Sequence, residues 1–255
     1  MSNVSYYAIS TIIIYKLKEF FYEFQHTILS PLISIFAFVL IISILQHQYS
    51  FLINNMDYLN FIIPGIIIMI VMQTSYNNIS ENLITMKQIG SFNDYLISPI
   101  SRIEILISLL LSSILMSLFL AFFSILIFMF IIEIDSFNYL LIFYYLIITS
   151  IIFSCIGAIV GFLYFTWDIQ QSISNFFVIP LSLLSGTFFS INIINPKWNF
   201  LFNFNPIYQI IYKFRKSFYN NFEVNILSDL YILFICLFIF FISIIIFKKG
   251  YRVIN

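Results

Sequence analysis

The chain has 255 residues, of which 62% are hydrophobic and only 9% charged. Soluble domains carry about 25% charged residues, so this composition, with a mean hydropathy of +1.03, excludes a water-soluble globular protein. The formal net charge of zero leaves no basic surface for phosphates and excludes a nucleic-acid partner.

Crossing a hydrocarbon core about 30 Å thick takes about 20 helical residues, and the apolar runs reach that length. The fold class read from them is all-α integral membrane, a single domain over 1–255 with six transmembrane helices in a core at 27–247. Residues 1–26 carry no secretory signal, because Lys16, Lys18, Glu19 and Glu23 interrupt the apolar run. Ile13, Leu17, Phe20, Phe21 and Phe24 line one helical face and Lys16, Glu19 and Glu23 another, which predicts an N-terminal helix lying in the cytoplasmic interface.

Span one is expected over Thr27–Gln46, with Pro31 tolerated in its opening turn. The loop 48–57 has no Lys or Arg and is expected outside. Span two, Tyr58–Asn77, contains Pro64-Gly65, a predicted kink. Its polar end, Gln73-Thr74-Ser75-Tyr76-Asn77-Asn78, needs partners in neighbouring helices or an aqueous vestibule.

The stretch 79–102 is the sizeable polar interruption between the early apolar runs. Ile79, Leu83 and Met86 recur at helical spacing, with Glu81, Thr85 and Gln88 on another face. That pattern predicts an amphipathic helix too polar to span. Gly90 allows a break, 93–97 gives a second short helix, and Pro99 stops it. Ser101-x-x-Glu104 then has the spacing of a capping box. With Lys87 and Arg102 marking it as cytoplasmic, this two-part platform is where another protein is expected to dock.

Span three follows over Ile103–Ile132, and Glu133 and Asp135 lie outside. Span four, Phe137–Phe165, carries Gly157-x-x-x-Gly161, a pattern that admits a close helix neighbour, expected within the chain. Span five starts near Ser172 and includes Pro180 and Ser185-Gly186. Over 192–224 the apolar pieces are broken by Asn195-Pro196 and Asn205-Pro206 and are too short to cross. Two short re-entrant helices dipping in from the outer face fit better than a span. The last span, Leu227–Phe247, ends in Lys248-Lys249 and Arg252, within a cytoplasmic tail at 248–255.

Six spans place both termini on one side, and Lys16, Lys18, Lys87, Arg102, Lys248, Lys249 and Arg252 make it the cytoplasmic one. Lys197, Lys213, Arg215 and Lys216 fall outside on this topology and count against it. The competing topology has an odd number of spans, with 208–216 cytoplasmic.

Four features then carry a resemblance over essentially the whole length. They are Phe61 to Gly65 followed by Tyr76-Asn77-Asn78; Lys87-x-x-Gly90-Ser91 leading into Asp94-Tyr95-Leu96-Ile97-Ser98-Pro99-Ile100-Ser101; Pro180 with Leu184-Ser185-Gly186-Thr187-Phe188-Phe189; and Phe204-Asn205-Pro206-Ile207-Tyr208 followed by Phe214-Arg215. In order and spacing the chain resembles the ABC transporter type-2 permease family, the membrane subunit of ABC exporters of polysaccharide, drug or lipid. The resemblance implies that the platform is a coupling helix meeting a separate ABC ATPase subunit, that 192–224 forms outer re-entrant helices, and that two permeases pair, as a homodimer, above two ATPases. The coupling residues it points to are Lys87, Gly90, Ser91, Asp94, Ser98, Pro99 and Arg102. Those for an outer gate are Pro180, Gly186, Asn205, Pro206, Tyr208 and Arg215. Ahead of Gly90 the chain departs from the family pattern, with fewer charged residues, Glu81 and Lys87 only.

No Gly-x-x-x-x-Gly-Lys-[Ser/Thr] occurs, so the chain does not hold nucleotide in the P-loop manner; ATP and magnesium are expected in the partner, and no catalytic residue or metal site in this chain. Cys155 and Cys236 lack metal-ligand spacing, and His26 and His47 read as interfacial anchors. The spans lack the ionisable residues that mark ion pathways, which argues against an ion-coupled carrier. An uncharged pathway suits an amphipathic substrate: a lipid-linked glycan, a lipid or a drug. An ATP-independent carrier or flippase is the alternative, and the expected location is the bacterial inner membrane, among its lipids.

Overall fold

The computed structural model of the chain describes residues 6–48, 52–53, 56–130, 138–190, 196–218 and 226–249. Its first helix, α1 (Tyr6–Tyr22), passes through a π-helical turn at Gln25–Leu29 into α2 (Ser30–Gln48). A short antiparallel pair, β1 (Leu52–Ile53) and β2 (Met56–Asp57), sets Leu52 opposite Asp57 and leads into α3 (Tyr58–Ile89). Then come α4 (Ser91–Ile97), α5 (Arg102–Met129) and α6 (Tyr139–Leu163). Short pieces follow: α7 (Trp167–Ile173), α8 (Ile179–Ser182), α9 (Asn199–Phe204) and α10 (Pro206–Lys216), before the long α11 (Ile226–Lys249).

Among the described residues, five helical segments are long and apolar enough to cross a membrane: Gln25–Ile44, Tyr58–Ile89, Arg102–Met129, Tyr139–Leu163 and Ile226–Lys249. The further crossing expected from Ser172 takes a different form. Helix runs from Trp167 to Thr187, but as α7 and α8 with π-helical turns at Ser174–Val178 and Leu183–Thr187. Pro180 has no N–H for the ladder, and Ser185 and Gly186 (φ 77°) leave helical geometry altogether. Of the expected re-entrant stretch 192–224, residues 196–218 are described. They form two short helices divided at Asn205-Pro206, after a 3-10 turn at Pro196–Trp198. Residues 191–195, Glu133, Asp135 and the tail from 250 lie outside the described residues.

Two sequence expectations change in detail. The amphipathic piece 79–89 is not a separate helix: α3 is continuous for 32 residues and ends only at Gly90. At about 1.5 Å per residue it is about 48 Å long, which exceeds the hydrocarbon thickness and carries its last turns beyond it. On α1 the buried row is Ile12, Lys16 and Phe20, so Lys16 faces the protein instead of water. Its ammonium is held by Glu19 at 2.6 Å and by Asn82 of α3 at 2.7 Å.

The centre of the bundle is α3, packed chiefly on α6 and α5. Small residues permit the close approach. A Cβ on Gly157 would meet the Tyr76 carbonyl oxygen at 2.5 Å, and one on Gly161 would meet Leu83 Cβ at 2.9 Å. Serines bridge the same helices in an apolar setting: Ser113 donates to the Ser75 carbonyl at 2.7 Å and lies 3.1 Å from Ser154 Oγ, and Ser117 donates to Ser150 at 3.0 Å. Ser117 and Ser150 also donate back along their own helices, to the carbonyls of Ile114 and Leu146 at 3.0 and 2.8 Å, so these buried hydroxyls are satisfied. Around this core α1 lies on α5, with Phe20 and Phe21 edge-on to Phe119 at 6.3 and 5.0 Å.

Candidate functional site

Among the described residues the glycines of positive φ are Gly90 and Gly186, and they mark the two sets of residues singled out by sequence, one at each end of α3.

At the first end, Gly90 (φ 84°) caps α3 in the left-handed conformation, its N–H bonding to the Lys87 carbonyl at 3.3 Å. The chain turns back as α4, which closes where Ser98 N–H meets the Asp94 carbonyl at 3.1 Å and Ser98 Oγ the Tyr95 carbonyl at 2.6 Å. Beyond Pro99 both halves of the capping box are made: Glu104 N–H donates to Ser101 Oγ at 3.3 Å, and Ser101 N–H to Glu104 Oε2 at 2.7 Å.

What anchors α4 is Phe92, which is buried. Its ring is edge-on to Phe162 at 5.9 Å, and Phe162 in turn meets Phe247 at 4.0 Å. One aromatic row thus ties α4 to α6 and α11. Ser91 Oγ donates to the Met86 carbonyl at 3.4 Å, and Arg102 donates to the Lys248 carbonyl at 3.2 Å. Facing away from the bundle are Ile89 (74% exposed), Ile97 (84%), Asp94, Pro99 and Arg102. Two bare isoleucines beside an acid and a base form a surface of the kind that protein partners cover. Burial raises the Tyr95 phenol above its ordinary pKa, and Tyr15 and Glu19 of α1 add to the rise.

Lys87 does not join that outward set. Its ammonium donates to the carbonyls of Phe162, at 3.1 Å, and Tyr164, and lies 4.2 Å from the Phe165 ring centroid. Gln88 continues the clasp, donating to the Phe165 carbonyl at 2.8 Å and accepting from Trp167 Nε1 at 2.5 Å. The contacts of Phe92 and Gln88 with the 162–167 connection escaped the sequence reading because no local pattern links the platform to that connection. Their partners lie about 75 residues away.

At the opposite end the remaining motifs converge. Arg215, 8% exposed, donates from Nε to the Phe61 carbonyl at 2.8 Å and from Nη2 to the Gly186 carbonyl at 2.9 Å. Asn205 caps α10, its Oδ1 accepting from the N–H groups of Ile207 (3.0 Å) and Tyr208 (3.4 Å), while its Nδ2 donates to Ser185 Oγ at 3.0 Å. Pro206 fills the first helical position, where its missing N–H costs nothing. The Tyr208 ring leaves no room at Gly186, whose Cβ would lie 2.9 Å from it, and Gly65 of α3 touches Thr187. Pro180 lies earlier on the run, in the first turn of α8. Beside this cluster Lys213 pairs with Asp229 of α11 at 2.6 Å, and Tyr145 of α6 donates to the same carboxylate at 3.1 Å.

Among the described residues no group of three or more His, Cys, Asp or Glu is placed to hold a metal ion. Cys155 and Cys236 are buried free thiols. The arrangement is one of anchored short helices at two ends of the helix bundle.

Residues 7–219 match the family of the ABC-2 type transporter. The chain is also similar to the inner membrane transport permease YadH of Escherichia coli K12, being 24% identical over 218 residues that cover 86% of this chain and 85% of the relative. The YadH permeases of E. coli O157:H7 and Shigella flexneri match with the same identity and coverage.

Proposed function

The chain belongs to the ABC-2 type transporter family, and on that premise we propose that it is the membrane-spanning permease subunit of an ATP-driven exporter. The observation that carries the proposal is the surface at the Gly90 end. There a short helix is held from behind by Phe92 while Ile89, Asp94, Ile97 and Arg102 face outward. In this reading that surface seats on a separate ABC ATPase, which binds ATP and magnesium and supplies the work. Two permeases pair above two ATPases, surrounded by lipid, and an amphipathic substrate moves outward between them.

The Gly90 end is then cytoplasmic, and both chain termini with it. Support comes from the cations gathered there: Lys16 bonds to Asn82, Lys87 to the end of α6, and Arg102 to the carbonyl of Lys248. The cations at the other end, Lys197, Lys213, Arg215 and Lys216, count against this orientation; of these, Lys213 is paired with Asp229 and Arg215 is enclosed by carbonyls. The run 167–187 makes the sixth crossing, broken at Gly186. Helices α9 and α10 are the re-entrant pair of the outer leaflet, closing the outer gate through Asn205, Tyr208 and Arg215.

The test is purification of the tagged protein in mild detergent, with mass spectrometry to identify any ATP-binding subunit that accompanies it. A stoichiometric ATPase that is lost when Asp94→Lys and Arg102→Glu are combined supports the permease reading and the docking surface together. An ATPase retained by that variant moves the docking site elsewhere. A monodisperse protein that never carries an ATPase overturns the proposal.

A further inference from the structure

Lipid-facing helices of this protein show apolar residues outward. On α11, between Leu230 and Ile245, every exposed position is Leu, Phe or Ile. The second half of α3 is the inverse. From Gln73 to Thr85 every position with exposed surface is polar, and the helix buries Tyr76, Ile79, Leu83 and Ile84 behind it. Gln73, Thr74, Asn77, Asn78, Glu81 and Thr85 fall within one side of a helix of 3.6 residues per turn.

Counting about 1.5 Å per residue from Tyr58, positions 73–78 lie about 22–30 Å along α3, still within the hydrocarbon depth of about 30 Å. Amides and hydroxyls at that depth are not left facing lipid tails. One turn earlier the same side of the helix carries Ile63, Ile67 and Ile70, all buried. The polar face therefore starts below an apolar seal and opens only toward the Gly90 end. Two elements flank it: α1, through Lys16 to Asn82 at 2.7 Å, and α7, through Gln170 to Asn77 Oδ1 and Ser80 Oγ, both at 3.1 Å. Within it the enclosed amide nitrogen of Asn78 has no hydrogen-bond partner among the described residues, a donor that water or a ligand would satisfy.

The net charge of this crevice is negative. Glu81 stands in the polar face, and Glu23 of α1 is close enough for the two carboxylates to repel. The flanking cation, Lys16, is already held by Glu19 and Asn82. We propose that this face of α3 lines a water-filled vestibule, open at the Gly90 end, that receives a neutral or cationic polar head group of the cargo and disfavours an anionic one. The inference rests on the permease reading and narrows its amphipathic substrate to hydroxyl-, amide- or ammonium-bearing heads.

Thiol accessibility tests it on the full chain in inverted membrane vesicles, after Cys155→Ala and Cys236→Ala remove the native thiols. Gln73→Cys and Asn77→Cys are compared with Phe234→Cys and Phe238→Cys on α11, using membrane-impermeant cationic and anionic methanethiosulfonates, with rates normalised to a free thiol in solution. The α3 cysteines are expected to react about ten-fold faster than the α11 cysteines, since reaction needs a hydrated thiolate. At Asn77→Cys the normalised cationic rate is expected to exceed the anionic rate about three-fold, and Glu81→Gln to narrow that difference, as for loss of one of two partly screened charges. Cysteines on α3 as inert as those on α11, whether or not they cross-link two copies, overturn the vestibule. Fast labelling without charge preference overturns the head-group assignment. Co-purification of an ATPase, scored on the same preparations, separates the two readings: its absence strikes the permease proposal, and labelling that fails while the ATPase is retained strikes the vestibule alone.

Discussion

Arg215 grips Phe61 twice: the guanidinium carbon lies 3.6 Å from the ring centroid, and Nε donates to the carbonyl of the same residue at 2.8 Å. With Nη2 on the Gly186 carbonyl, one side chain joins α10, the start of α3 and the break in the run 167–187. A planar fork is needed to serve a ring face and two carbonyls at once.

Arg215→Lys is therefore not conservative here. A lysine ammonium reaches one carbonyl and abandons the other, and charge-assisted bonds are worth about 1.5–3 kcal/mol each. A loss of about 2–3 kcal/mol is expected, read as a lower midpoint in thermal unfolding of the detergent-solubilised protein. An unchanged midpoint would show that the grip is not structural.

The two positive-φ glycines are expected to respond differently. Gly90 has open space where a Cβ would go, so Gly90→Ala meets only the left-handed backbone cost of about 1–2 kcal/mol. Gly186→Ala adds a clash with the Tyr208 ring at 2.9 Å and is expected to cost more. Combining it with Tyr208→Leu should recover the clash and leave the backbone part, which a double-mutant cycle on the unfolding midpoint measures.

Gly157→Ala is expected to lower stability more than Gly161→Ala. The first drives a methyl group into a backbone carbonyl at 2.5 Å, the second into a leucine side chain at 2.9 Å that has some freedom to turn. Fluorescence-detected gel filtration after heating ranks the two, and the reverse order would place the α3–α6 seam elsewhere.

Removing Lys213 alone leaves Asp229 facing Tyr145 without its cation. Each of Lys213→Met and Asp229→Leu is expected to destabilise by about 1–3 kcal/mol, with the pair together milder than their sum. Strict additivity in thermal unfolding would show the ion pair to be idle.

Phe92→Ala changes nothing on the outward surface but removes the ring that seats α4 on Phe162. Truncating a buried phenylalanine costs about 3–5 kcal/mol, concentrated here on one short helix. The bundle is expected to remain monodisperse while co-purification of an ATPase weakens as it does for the Asp94→Lys, Arg102→Glu pair. Full retention would mean that α4 is positioned by Arg102 and the Ser101–Glu104 cap alone.

Much of this architecture is written in local pattern. Hydropathy identifies the membrane helices because apolar length against bilayer thickness is a property of one segment at a time. The break at Gly90, the stop at Pro99 and the Ser101–Glu104 cap are equally local, depending on φ freedom, a missing N–H and side chains three residues apart. Sequence also separated the Asn205-Pro206 helices from the spans, since neither piece is long enough to cross.

Packing decided the rest, because it depends on which distant residues meet. Only the folded bundle turns Lys16 inward to Asn82, removes Lys87 from the outward surface at the Gly90 end into a clasp with the end of α6, and brings Phe61, Gly186, Tyr208 and Arg215 into one cluster. The polar side of α3 was legible in the sequence, but only the fold shows which part of it stays uncovered. Composition records that both kinds of residue are present, but exposure at membrane depth is set by the neighbours that cover each face.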